Sequence, residues 1–265
     1  MRSENRFLSV VPKVVLALAV IAMHGSLQAQ SRFSMGGAGK SGDEGNVVRP
    51  SGLQPAFPAQ ARCPEVVSAY GSRTRYDGSF RPPSEFGGHH GGIDITLAEG
   101  TPLLALAAGT VASTGEGGRM EGVYLWLRHS PEDTGLAYWV YSKYQHLKSL
   151  PDLQVGAKVA MGQTVAHSGG TGTEGGHYGV RGYPHLHLTT LRDSSGDATV
   201  GGRGQARGAS LFDPLSIYHE AGAKPRESAE PPLQAGAVPI PYTSTDGKVV
   251  PPGTRVVWPV ACQPK

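Results

Sequence analysis

The stretch "YPHLHLTT" (Tyr183–Thr190) decides how this chain is read. Apolar and polar residues alternate in it, as in a strand, and side chains at i and i+2 of a strand share a face. His185 and His187 therefore stand side by side while Leu186 and Leu188 face the opposite way. A leucine or valine would pack better at either histidine position, so that face calls for nitrogen ligands or proton carriers.

The segments around it share its character. "TPLLALAAGTVAST" (101–114), "GVYLWLRHS" (122–130), "GLAYWVYSKYQHL" (135–147) and "VGAKVAMGQTVAHSGG" (155–170) are short, rich in β-branched or aromatic residues, and separated by glycine. No stretch among them sustains a helical period over three turns. This punctuation predicts an all-β fold, a single antiparallel β domain over residues 62–219.

The flanks read differently. Residues 30–61 are rich in glycine, serine and proline and predict a flexible linker or pro-segment. Their "GGAGKS" fails as a phosphate loop, because Ser34 stands where the first glycine is required. Residues 220–265 carry "EPPLQAGAVPIPY" and "VVPPGTRVVWPV", which predict a proline-rich tail running extended along the surface.

At the start, Arg2, Arg6 and Lys13 precede the apolar run "VVLALAVIAM" (Val14–Met23) and then "SLQAQ", the pattern of a signal peptide over residues 1–29. The run is about half of the roughly 20 apolar residues that a membrane span needs. Three of the 24 basic and one of the 21 acidic residues lie in that segment, so the processed chain carries a net charge of +1. Such a balance gives no reason to expect a nucleic-acid partner. The expectation is an exported product, periplasmic or extracellular, with no membrane contact once the signal is removed. In an oxidising compartment Cys63 and Cys262 can pair and tie the tail back. Neither has the nearby Cys or His partner of a metal site.

Catalytic zinc sites use three protein ligands and keep a fourth position for water. In "GGHHGGIDIT" (Gly87–Thr96), an extended chain puts His90 and Asp94 on one face and His89 on the other, with Ile93 and Ile95. His90 rather than His89 is thus the candidate, and the glycines permit close backbone approach. An isolated H-x-x-x-D is a weak signal and an isolated H-x-H a better one. Both in this order describe an open three-ligand site built from two strands.

Further pieces occur in order along the chain: "SAYGSR" (68–73), "HGGID" (90–94), "EGTPLLALAAGTV" (99–111), "YQHL" (144–147), "VGAKVAMGQTVAHSGGTG" (155–172), "HLH" (185–187) and "FDP" (212–214). Together they resemble the lysostaphin-type (LytM-like) zinc metalloendopeptidases that cut bacterial cell-wall peptides. The resemblance implies a curved sheet with a central groove and one Zn2+ at the groove floor, held by His90, Asp94 and His187. It implies that His146 and His185 are catalytic, with His185 favoured as base and His146 as oxyanion partner. The implied substrate is the peptide cross-link of peptidoglycan, D,D bonds before glycine bridges.

The alternative is a catalytically silent domain of the same fold that binds peptidoglycan and activates another hydrolase. Such a domain would show lost polar positions, and all five are present here. Two segments depart from the family by their length: "SRTRYDGSFRPPSEF" (72–86) and "TEGGHYGVRGY" (173–183), the latter with His177, which reads as part of a glycine-rich loop. They bear on substrate choice more than on chemistry. His129 reads as structural, and His167 as structural or solvent-facing. "HEAGA" (219–223) fails as H-E-x-x-H at Ala223, and no G-x-S-x-G elbow occurs.

Overall fold

The structure, a computed structural model, describes residues 48–118, 120–173, 183–202, 206–222 and 236–265. The signal segment and His177 lie outside the described residues. Three short strands come first, β1 (Gln54–Ala56), β2 (Ala61–Arg62) and β3 (Val66–Ser68). Next are β4 (Ile93–Thr96), β5 (Pro102–Leu104), β6 (Gly109–Glu116), β7 (Val123–His129), the helical turn α1 (Pro131–Thr134), β8 (Trp139–Leu147), β9 (Lys158–Val159) and β10 (Thr164–His167). After the long β11 (His185–Asp193) come β12 (Thr199–Val200), β13 (Ala206–Arg207), β14 (Ser210–Phe212) and α2 (Pro214–Ala221). The chain closes with β15 (Ala237–Pro239), β16 (Tyr242–Thr243), β17 (Val249–Val250) and β18 (Gln263–Pro264).

The fold is all-β, as expected. Its main sheet runs β3-β4-β11-β8-β7-β6-β9, with β14 also on β11. Every pairing in this sheet is antiparallel. Strand β11 is its middle: β8 lies along one side, and β4 and then β14 share the other.

Alternation sorts the side chains onto two faces. Ile93, Ile95, Leu125, Leu127, Tyr144, Leu186 and Leu188 point one way into the main apolar core, where each is fully buried. Burial of this kind contributes about 1.5–3 kcal/mol for each large apolar side chain. The opposite face carries Asp94, Trp126, Lys143, Gln145, His187 and Thr189, and these residues line a groove of about 950 Å³. Past the end of β11 the chain folds over one end of that face: Trp126 Nε1 donates to Gly201 O at 3.0 Å and Tyr141 Oη to Gly196 O at 2.7 Å.

The tail departs from expectation. Val238, Ile240, Val256, Val257, Trp258 and Cys262 are each no more than 2% exposed, so residues 236–265 help build the core rather than run along the surface. Prolines cost this segment backbone donors, but the residues between them still point inward. Val257 N donates to Leu106 O at 2.7 Å and Leu104 N to Pro259 O at 2.8 Å, so the tail is bonded to the strand β5 region. The linker also ends earlier than expected, because β1 pairs with β15 and β2 with β18. A disulfide joins Cys63 and Cys262 across 199 residues of chain. Closing a loop of that length stabilises the fold by about 5 kcal/mol in the chain-entropy account.

Candidate active site

Three side chains converge at the groove floor. His187 stands directly opposite Asp94 in the β11–β4 ladder, so register alone brings them together. His187 Nδ1 lies 2.8 Å from Asp94 Oδ1, and His90 Nε2 lies 3.2 Å from the same oxygen and 3.0 Å from His187 Nδ1. His90 arrives by a different route from the one its spacing suggested. Strand β4 begins only at Ile93, and Gly91 and Gly92 form the bend that returns His90 to Asp94. A Cβ on Gly92 would meet Leu188 O at 2.3 Å and His187 Nε2 at 2.9 Å, so the position admits only glycine.

Each of the three is oriented from behind. His90 Nδ1 lies 3.1 Å from Ala69 O, a pure acceptor, which puts the proton on Nδ1 and leaves Nε2 as a lone pair. His187 Nε2 bonds Thr189 Oγ1 at 2.9 Å, one pleat along the same strand, leaving Nδ1 for the centre. Arg81 Nη2 lies 3.6 Å from Asp94 Oδ2 and donates to Ser68 Oγ at 3.1 Å. Burial pushes the Asp94 carboxyl up, but His90 and His187 outweigh it and hold the group well below the usual carboxylate range. Burial also lowers His187, to about 4, against the pull of Asp94.

This donor set fits a zinc ion. Three acceptor atoms aimed at one point repel each other unless a cation lies among them. Their separations of 2.8, 3.0 and 3.2 Å are close to the edge of about 3.3 Å that a tetrahedron of roughly 2 Å bonds would have. These are the only described His, Cys, Asp or Glu side chains that gather in this way.

Two more imidazoles border the centre. His185 Nδ1 donates to Tyr183 O at 3.0 Å, its ring is stacked on that of Tyr183 at 4.3 Å, and its Nε2 lies 3.7 Å from Asp94 Oδ1. His146 Nδ1 donates to Thr171 O at 2.8 Å, and its ring centre is 4.6 Å from that of His185. In both rings the carbonyl fixes the proton on Nδ1, so Nε2 is an acceptor. Burial, with His185 and His187 nearby, pushes the His146 imidazolium well below its ordinary pKa, so this ring is neutral. A neutral ring with its proton on Nδ1 has nothing to donate from Nε2. The oxyanion role expected for His146 therefore requires it first to gain a proton.

His146 reaches the groove through a defect in the sheet. Tyr124 pairs with Gln145 but Val123 pairs with Leu147, so His146 is an extra residue, and its φ of 61° is left-handed. Strict alternation would have turned His146 into the core. With the bulge, Gln145 and His146 both line the groove, and Leu147 resumes the core face fully buried.

The remaining histidines separate clearly. His129 is fully buried on the core face, with Nδ1 at 2.7 Å from Ala108 O and Nε2 at 2.8 Å from Ser142 Oγ. His89 lies at the groove wall outside the three-atom cluster, and His167 is exposed. Sequence reasoning missed Thr189 and Arg81. The i+2 spacing of H-x-H-x-T carries a signal for Thr189, whereas Arg81 sits in a long loop with none.

Residues 88–198 match the model of peptidase family M23, which bears out the resemblance to lysostaphin-type peptidases. An uncharacterized metalloprotease of Haemophilus influenzae is 36% identical over 99 residues, covering 37% of this chain and 18% of that protein. The chain thus spans less than a fifth of the length of that relative. Among solved structures, the catalytic domain of lysostaphin from Staphylococcus simulans is 24% identical with a TM-score of 0.40, covering 57% of this chain and 91% of that one. A zinc containing peptidase from Vibrio cholerae is 23% identical with a TM-score of 0.37, covering 53% and 36% respectively.

Proposed function

We propose that this chain, which carries the M23 peptidase match over residues 88–198, is a zinc metalloendopeptidase that hydrolyses the peptide cross-links of peptidoglycan. The observation that carries the reading is the convergence of His90 Nε2, Asp94 Oδ1 and His187 Nδ1 beside the bare Nε2 atoms of His146 and His185. Zinc held there would polarise the scissile carbonyl and make a water nucleophilic near neutral pH.

The protein groups do the rest. A water between His146 and His185 has one hydrogen for each Nε2, so the two rings orient it. His185, with its Nε2 open as an acceptor, takes the proton and returns it to the leaving amine. Burial holds His146 in the neutral form, and it accepts only a hydrogen bond until a proton reaches it. The groove face on either side seats an extended peptide. An exported location, with the periplasm first, accords with the signal-like residues 1–29 and with the Cys63–Cys262 disulfide.

The test is zinc analysis of the purified protein together with digestion of purified sacculi, with products identified by mass spectrometry. One zinc per chain and release of cleaved cross-links are expected, and His187→Ala should abolish both. A zinc-loaded protein that binds sacculi without cutting them would overturn the reading.

A further inference from the structure

One turn, residues 168–172, holds both imidazoles that border the metal centre. His185 N donates to Gly169 O at 3.2 Å, and Thr171 O accepts from His146 Nδ1 at 2.8 Å. The turn is also tied to β8, where Ser168 pairs with Leu147. The side chain of Thr171 makes two more bonds: Oγ1 donates to Leu147 O at 2.7 Å and accepts from Val123 N at 2.9 Å. Those backbone groups belong to β8 and β7, at the pair that adjoins the extra residue His146.

The bulge needs such a link. It disrupts the ladder locally, and it holds His146 at a φ of 61°, which a residue with a Cβ keeps only where its surroundings over-determine it. A hydroxyl has one hydrogen and two lone pairs, so Thr171 Oγ1 serves both strands at once, whereas a methyl group would serve neither. The turn is closely seated as well. A Cβ on Gly122 would meet Thr171 O at 2.1 Å, and one on Gly172 would meet Gly122 N at 2.1 Å. The carbonyl that sets the His146 tautomer is thus pressed against the backbone just before β7.

We infer that Thr171 is a positioning residue for His146. Its hydroxyl holds the bulge that turns His146 toward the groove, and its carbonyl fixes the proton on Nδ1 and leaves Nε2 as the acceptor. Without the hydroxyl the turn is no longer tied to β7 and β8 through this side chain, so the carbonyl shifts and the ring loses both its direction and its single tautomer. A displacement of about 1 Å at a group that orients a reacting water costs up to about 100-fold in rate. The inference rests on the peptidase reading for the use made of His146, but the placement of the ring is a property of the protein alone.

The experiment compares the zinc-loaded wild type with Thr171→Val, which keeps the shape and loses the hydroxyl, and Thr171→Ser, which keeps the hydroxyl. Turnover and KM are measured on a synthetic cross-linked muropeptide, beside zinc content and melting temperature. Amide exchange at Val123 reports the bulge, and the imidazole nitrogen NMR spectrum at neutral pH reports the ring. In Thr171→Val, kcat should fall by about 10–100-fold with KM and zinc content near wild type, Val123 should exchange faster, and His146 should show both tautomers. Thr171→Ser should restore slow exchange, the single tautomer and most of the turnover. A valine variant that melts lower but turns over at the wild-type rate per folded molecule would reduce Thr171 to a structural role and overturn the inference, as would a serine variant as slow as the valine one. If the wild type cuts no peptide, the peptidase reading fails, and the ring still decides the inference: Val123 exchange and a His146 tautomer unchanged in Thr171→Val would overturn it.

Discussion

His129 and His146 occupy adjacent strands, β7 and β8, and have much in common. Both are buried, both donate from Nδ1 to a backbone carbonyl, and both are pushed by burial toward the neutral form, His129 to about 4. They differ at the other nitrogen. His129 Nε2 meets the hydroxyl of Ser142 on the core face, while His146 Nε2 is turned by the β8 bulge toward His185 and the groove. A saturated imidazole is a structural cross-link, and one with an open acceptor is available for proton chemistry. Burial alone therefore does not distinguish the two roles.

The largest effect that would break this comparison comes from exchanging the readouts. We predict that His146→Ala lowers turnover by about 10²–10⁴-fold while zinc content and melting temperature stay near wild type. His129→Ala should do the reverse, costing about 3 kcal/mol in denaturant titration and sparing turnover per folded molecule. A His129 variant that is stable but inactive would show that the core face takes part in catalysis.

The pH dependence sharpens the same contrast. Burial depresses His129 to about 4, so above its unfolded value of about 6.5 the ring is neutral in both states and its stabilisation is fully present. As pH falls from about 6.5 to 4 the unfolded chain takes up a proton that the native ring refuses, and about 3 kcal/mol is lost. The difference in stability between wild type and His129→Gln should narrow across that window, and a difference constant with pH would refute the assignment.

Smaller effects should come from the hydroxyls that hold each ring system. Thr189→Val removes the oxygen on His187 Nε2 and should weaken zinc binding about 10–100-fold, read by competition with a chelator. Ser142→Ala leaves His129 Nε2 bare inside the core and should cost about 1–3 kcal/mol without touching metal affinity. Loss of zinc in the Ser142 variant would mean that the two faces are coupled through β8.

Much of the site was legible in the chain because it obeys the two-residue period of a strand. His187 and Asp94 lie where alternation put them, and His129, followed by a serine at a strand end, read correctly as structural. His90 also reached the centre, though through a glycine bend rather than an extended run. The tail was misjudged because proline content describes what the backbone does and not where Val256 or Trp258 point. Residues Arg81 and Lys143 carry no spacing signal, since each meets its partner from a distant segment.

The sequence by itself determined the strand class and the shared face of His185 and His187, because both follow from local periodicity. Only the tertiary structure decided that His146 faces the groove, that Lys143 meets Glu121, and that the tail completes the core. Those outcomes depend on register, a bulge and long-range contacts, whose energies come from segments far apart in the chain and leave no periodic trace in any one of them.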